Sequence, residues 1–145
     1  MYKLLAFESP VPYLPYLGIL IALCSGIRLA VFNLDETQSD SFKGLPTPAN
    51  ALFITGITFL QDSFFDFLFS PWVLAVITII FSLLLVSRIE LFALKFRNFD
   101  WTTNKLRFTF LILSVLLLAA LQLAAVPLII ILYIVLSLGN RMFAS

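Results

Sequence analysis

The chain has 145 residues, of which 61% are hydrophobic and 12% charged, with a formal charge of +1. A soluble domain averages roughly half apolar and a quarter charged, so this composition argues against a water-soluble domain, and the small net charge gives no ground for nucleic-acid binding. The chain has no histidine, which excludes imidazole catalysis and histidine metal ligation, and its single cysteine excludes an internal disulfide.

The apolar residues fall in long runs. Two uncharged windows, 71–87 and 108–126, approach the ~20 residues that span a bilayer. The expected fold is therefore all-α: one polytopic transmembrane helical bundle over residues 1–145, with about five membrane helices. Residues 1–13 form a lead-in punctuated by Pro10 and Pro12. Glu8 and these prolines interrupt what a secretory signal would need as an apolar core. The first helix is predicted over 14–32. Gly18, Ala22, Ser25 and Gly26 place small residues on it at roughly helical spacing, which suits close packing in lipid. Cys24 lies mid-helix among small and apolar neighbours and reads as a buried, inert thiol.

The stretch 28–50 carries the residues with chemical potential. Arg28 interrupts an apolar run, and Asn33 ends it. A polar loop follows with Asp35, Glu36, Asp40 and Lys43. Pro46 and Pro48 stiffen its end, since each fixes its own φ and biases the residue before it towards extended backbone. Thr47 is expected to cap the second helix, with Pro48 at its first position. A cation near one helix end, a lysine in a tight loop and a fresh helix start together suit an anion. Each residue also has a plain reading. Arg28 can snorkel to the interface, Asn33 can cap its helix, and Lys43 can be a solvated loop lysine.

The second helix is predicted over 48–60 and can continue to Leu68 as a bent or interfacial segment. The third is predicted over 71–87, the fourth over 108–124 and a fifth from Pro127 to about 138. Asp62 and Asp66 read as a solvated acidic loop between the second and third. Between the third and fourth, residues 88–107 carry Arg88, Lys95, Arg97, Lys105 and Arg107 against Glu90 and Asp100. This is the most basic loop and is assigned to the cytoplasm. Alternation then puts 33–47 on the same side and 61–70 outside. The N-terminus falls outside, which an odd number of further helices before Met1 would explain.

Taken in order, Arg28-Leu-Ala-Val-Phe-Asn33, Lys43-Gly-Leu-Pro-Thr-Pro-Ala-Asn50, Phe92-Ala-Leu-Lys-Phe-Arg97, Asn104-Lys-Leu-Arg107 and the helix at 127–138 resemble the CDP-alcohol phosphatidyltransferase family. The likeness covers most of this chain but only the C-terminal part of the family's enzyme. The family usually reads Arg-Leu-Ala-Arg-Phe-Asn, and Val31 stands here in place of its second arginine. The family signature, Asp-x-x-Asp-Gly-x-x-Ala-Arg followed by Gly-x-x-x-Asp-x-x-x-Asp, does not occur.

The resemblance implies a complete enzyme of the bacterial cytoplasmic membrane that joins CDP-diacylglycerol to L-serine and releases CMP. Its aspartates would hold Mg or Mn, and one would act as base. The Gly-Leu-Pro-x-Pro string leans towards serine, with glycerol phosphate and inositol as the other acceptors. On this reading Arg28 would hold a phosphate or the serine carboxylate, Asn33 would orient the amino acid, and Lys43 beside Gly44 would neutralise substrate charge. The chain itself has no identified catalytic residue or metal ligand and is expected to be inactive alone. Its expected partners are the two substrates, membrane lipids, the missing N-terminal half and a second copy in a homodimer, with no nucleic acid. A non-catalytic helical membrane protein, a packing subunit or a binding partner, is the other reading.

Overall fold

The computed structural model describes residues 1–34, 41–60, 66–92, 94 and 100–144. Among the described residues there are six α-helices and one two-stranded ladder, besides short 3-10 turns: α1 (Tyr2–Glu8), α2 (Leu17–Leu34), β1 (Ser41–Lys43), α3 (Thr47–Ile57), α4 (Pro71–Val86), β2 (Glu90–Phe92), α5 (Trp101–Leu121) and α6 (Ala125–Ala144). The expected all-α bundle is borne out. Leu14–Leu34 and Asn104–Asn140 are long and apolar enough to cross a bilayer, and Thr47–Leu60 and Pro71–Val86 are shorter apolar helices.

The second of the long stretches is a hairpin. Gln122 adopts φ 51° and ψ −128°, which ends α5 and turns the chain back through a single 3-10 turn, Gln122–Ala124. Phe110 of α5 and Tyr133 of α6 then lie 5.9 Å apart, centroid to centroid. Leu23, Ile27, Val76, Leu83, Val115, Leu116 and Val135 all point outward. Contiguous apolar surface on this scale suits lipid, not water.

The core is one apolar cluster built around Phe53, Ile57, Phe81, Phe110, Ile130 and Tyr133. Phe53 and Phe81 stack at 3.8 Å with a 10° interplanar angle, which ties α3 to α4. On its other side α3 comes so close to α6 that a Cβ at Gly56 would lie 2.7 Å from Pro127 Cδ. Small residues permit this kind of approach between membrane helices.

Four details depart from the sequence reading. The lead-in is helical over Tyr2–Glu8, because Leu5 finds a fully buried site. The basic segment 88–107 is not all loop: α5 starts at Trp101, well before Phe108. Its first turns break at Asn104 (φ −117°, ψ 19°). The Asn104 side chain closes the break by donating to Asp100 O at 3.0 Å and accepting from Arg107 at 2.6 Å. The last helix runs on past Leu138 to Ala144. Finally, β1 and β2 pair antiparallel, with Ser41 opposite Phe92 and Lys43 opposite Glu90. The ladder ties the 33–47 connection to the 88–107 connection, so both lie at one end of the bundle, as the charge pattern requires.

Candidate functional site

The end of the bundle that carries the ladder also carries Arg28. On α2 the inward residues are Ile21, Cys24 and Arg28, at helical spacing. Ile21 and Cys24 pack with Leu85, so the thiol is buried, as read from the sequence. Arg28, one turn on, is only 5% exposed. Its guanidinium lies 5.5 Å from the Phe32 ring centroid, within cation–π range. It opens onto a hollow of about 270 Å³ walled by Leu29, Phe32, Pro46, Thr47 and Pro48. The Arg28 side chain is buried beside the first turn of α3.

That turn is built by the Gly-Leu-Pro-Thr-Pro string. Gly44 adopts φ +78°, a region that favours glycine. Its N–H donates to Ile89 O at 2.8 Å, and the Leu45 N–H donates to Leu84 O at 2.9 Å. Leu84 lies in the last turn of α4, whose carbonyls lack intrahelical partners, so this backbone satisfies one of them. Leu45 is fully buried and locks the turn into the core. The close approach that Gly44 permits is thus to α4. Helix α3 begins one residue earlier than expected, with Pro46 at the N-cap and no side-chain cap. With Pro46 at the N-cap, Thr47 is the first helical residue and does not act as the cap, and its buried hydroxyl has no hydrogen-bond partner among the described residues.

Arg28 and the start of α3 are therefore brought together. Lys43 stands on β1, half-buried and opposite Glu90. Asn33 lies in the last turn of α2, exposed, and is followed by helical Leu34. Asp66 is exposed on a 3-10 turn at the opposite end of the bundle. Asp35, Glu36, Asp40, Asp62, Lys95 and Arg97 lie outside the described residues.

Three groups that stand out in the structure were not singled out as site residues in the sequence. Asn50 is 2% exposed, and its Oδ1 has no hydrogen bond among the described residues. The same holds for Thr47 Oγ1. A buried acceptor without a donor costs about 1–3 kcal/mol. Tyr133, from α6, donates to Phe92 O at 2.9 Å and so pins β2 against the bundle. Tyr133→Phe is expected to lower stability by about 1 kcal/mol, seen as an earlier unfolding midpoint in detergent with helix content unchanged.

Arg28 and the first turn of α3 both border the hollow, and a guanidinium and a helix N-terminus carry charge of the same sign. No group of three or more His, Cys, Asp or Glu stands together among the described residues. The described side chains therefore do not fit the Mg or Mn centre that the resemblance implies.

Fold and site together define a polytopic helical membrane protein with a hollow at one end, beside a buried arginine and the start of a helix. Over 92 residues the chain is 31% identical to CDP-diacylglycerol–serine O-phosphatidyltransferase of Bacillus subtilis (strain 168), a match covering 61% of this chain and 48% of that protein. The chain thus spans about half the length of the curated relative it matches, and the likeness bears out the resemblance read from the sequence as a partial one. No family model matches the chain, and no solved structure does.

Proposed function

We propose that this chain is the acceptor-side part of an integral phosphatidyltransferase of phospholipid biosynthesis. The complete enzyme joins CDP-diacylglycerol to L-serine, giving phosphatidylserine and CMP. The serine hydroxyl oxygen bonds to the lipid phosphorus, the bond from that phosphorus to CMP breaks, and the hydroxyl proton passes to a carboxylate supplied from outside the described residues. Arg28 grips a phosphate or the serine carboxylate with its planar fork. Asn33 orients the amino acid and Lys43 neutralises substrate charge, with Gly44 fixing the backbone that carries Lys43. The ladder-bearing end faces the cytoplasm, where the basic 88–107 segment belongs.

One observation carries this reading: the inward, buried Arg28 beside the α3 N-terminus. The similarity to the Bacillus enzyme supports it. In the test, the purified chain is given CDP-diacylglycerol, serine and manganese in detergent. It is expected to bind serine saturably while releasing no CMP. Release at an ordinary enzymatic rate, on the order of 10 per second, would refute the division of labour. Absence of binding would refute the reading as a whole.

A further inference from the structure

Thr47, Asn50 and Ile54 lie on one face of α3, at positions i, i+3 and i+7. Their neighbours place this row against α2. Ile54 packs on the cluster of Ile21, Cys24 and Leu85, while Thr47 lines the hollow with Arg28. The α2 row Ile21, Cys24, Arg28 and the α3 row Ile54, Asn50, Thr47 therefore run side by side, apolar at one end and polar at the other. Asn50 falls at the boundary, fully buried one turn in from Thr47.

An amide oxygen only accepts hydrogen bonds, and a threonine hydroxyl can accept as well as donate. Neither Asn50 Oδ1 nor Thr47 Oγ1 is satisfied by a described residue, and both are buried. A carboxylate suits a guanidinium and a helix N-terminus but offers nothing to an acceptor. A ligand that meets every group here carries an anionic end and a donor end.

We propose that Asn50, assisted by Thr47, accepts hydrogen bonds from the ammonium group of a small zwitterion whose anionic end is held by Arg28. The inference rests on the phosphatidyltransferase reading and deepens it, because it makes Asn50 the group that separates an amino-acid acceptor from glycerol phosphate or inositol. An ammonium donor gives a charge-assisted bond to Oδ1, stronger than any hydroxyl can give at the same place.

The test titrates L-serine, glycerate and inorganic phosphate into the full chain in detergent micelles. Glycerate keeps the carboxylate and replaces the amine with a hydroxyl. The wild-type chain is expected to bind serine about tenfold or more tighter than glycerate. Asn50→Leu is expected to abolish that preference, leave phosphate binding within about twofold, and melt no lower than wild type, since it removes an unsatisfied buried acceptor. Asn50→Asp is expected to retain serine, since a carboxylate also accepts from ammonium. Equal affinity of the wild-type chain for serine and glycerate overturns the proposal without need of a variant. Undiminished serine binding by Asn50→Leu overturns it too. Phosphate binding without serine binding overturns the zwitterion assignment and leaves the anion site standing, whereas failure of both ligands removes the phosphatidyltransferase reading with it.

Discussion

Gly44→Ala is expected to unfold the polar end of the bundle and to lower stability by roughly 3–5 kcal/mol. A β-carbon at this position would lie 2.7 Å from Leu85 O and 2.8 Å from Ser87 O. Those are backbone atoms at the end of α4, so no rotamer change relieves the contact. The φ of +78° adds its own cost for any residue with a side chain. To escape, the loop must shift, and the shift breaks the Gly44–Ile89 and Leu45–Leu84 hydrogen bonds. Leu45 would leave its buried site, and β1 would lose its register with β2. A domain is stable by only about 5–15 kcal/mol, so the variant is expected to be recovered in low yield and to show a much earlier unfolding midpoint in mixed micelles. Gly26→Ala is the control. A Cβ at Gly26 meets nothing within 4 Å, and alanine is the better residue in a helix interior, so that variant is expected to match or exceed wild type. Equal stability of Gly44→Ala and Gly26→Ala would show that the turn is not the clamp described here.

The contrast between these two glycines shows what was legible in the sequence. The helices could be read because each span is a local property: an uncharged run of sufficient length, opened by Pro71 or ended near Arg88. The stiffness of 43–48 was also legible, because proline acts on its own backbone and its neighbour's. The role of Gly44 was not, since the partners it approaches belong to α4, far along the chain. The β1–β2 ladder was missed for the same reason. A three-residue strand has no periodicity to detect, and its pairing is set by the tertiary approach of two loops. The early start of α5 was hidden by Asn104, a residue that ordinarily signals a break and here repairs one with its own side chain. Arg28 was found because a charge in an apolar run is conspicuous. Asn50 stood in the same string as Lys43, but only its burial distinguishes it from an ordinary residue in the first turn of a helix.

Arg28→Met is expected to weaken binding of inorganic phosphate by roughly 30- to 1,000-fold, about 2–4 kcal/mol, while leaving the bundle as stable as before or more so. The two halves of this expectation have one cause. A guanidinium that is 5% exposed has given up most of its hydration, which is costly, and replacing a buried charge with an apolar side chain of similar volume is often neutral or stabilising. The contact with Phe32 returns about 0.5–2 kcal/mol. An anion returns more, because the fork donates two aligned hydrogen bonds at short range and the α3 N-terminus adds its own partial charge. Arg28→Lys separates charge from geometry. It keeps the cation and loses the planar fork, so it is expected to retain phosphate at about a tenth of the wild-type affinity. Isothermal titration, run beside thermal unfolding of the same samples, reads both quantities. An arginine that served only to anchor its helix at the membrane surface would give the opposite pattern: unchanged phosphate binding, and a bundle that Arg28→Met weakens while Arg28→Lys restores it.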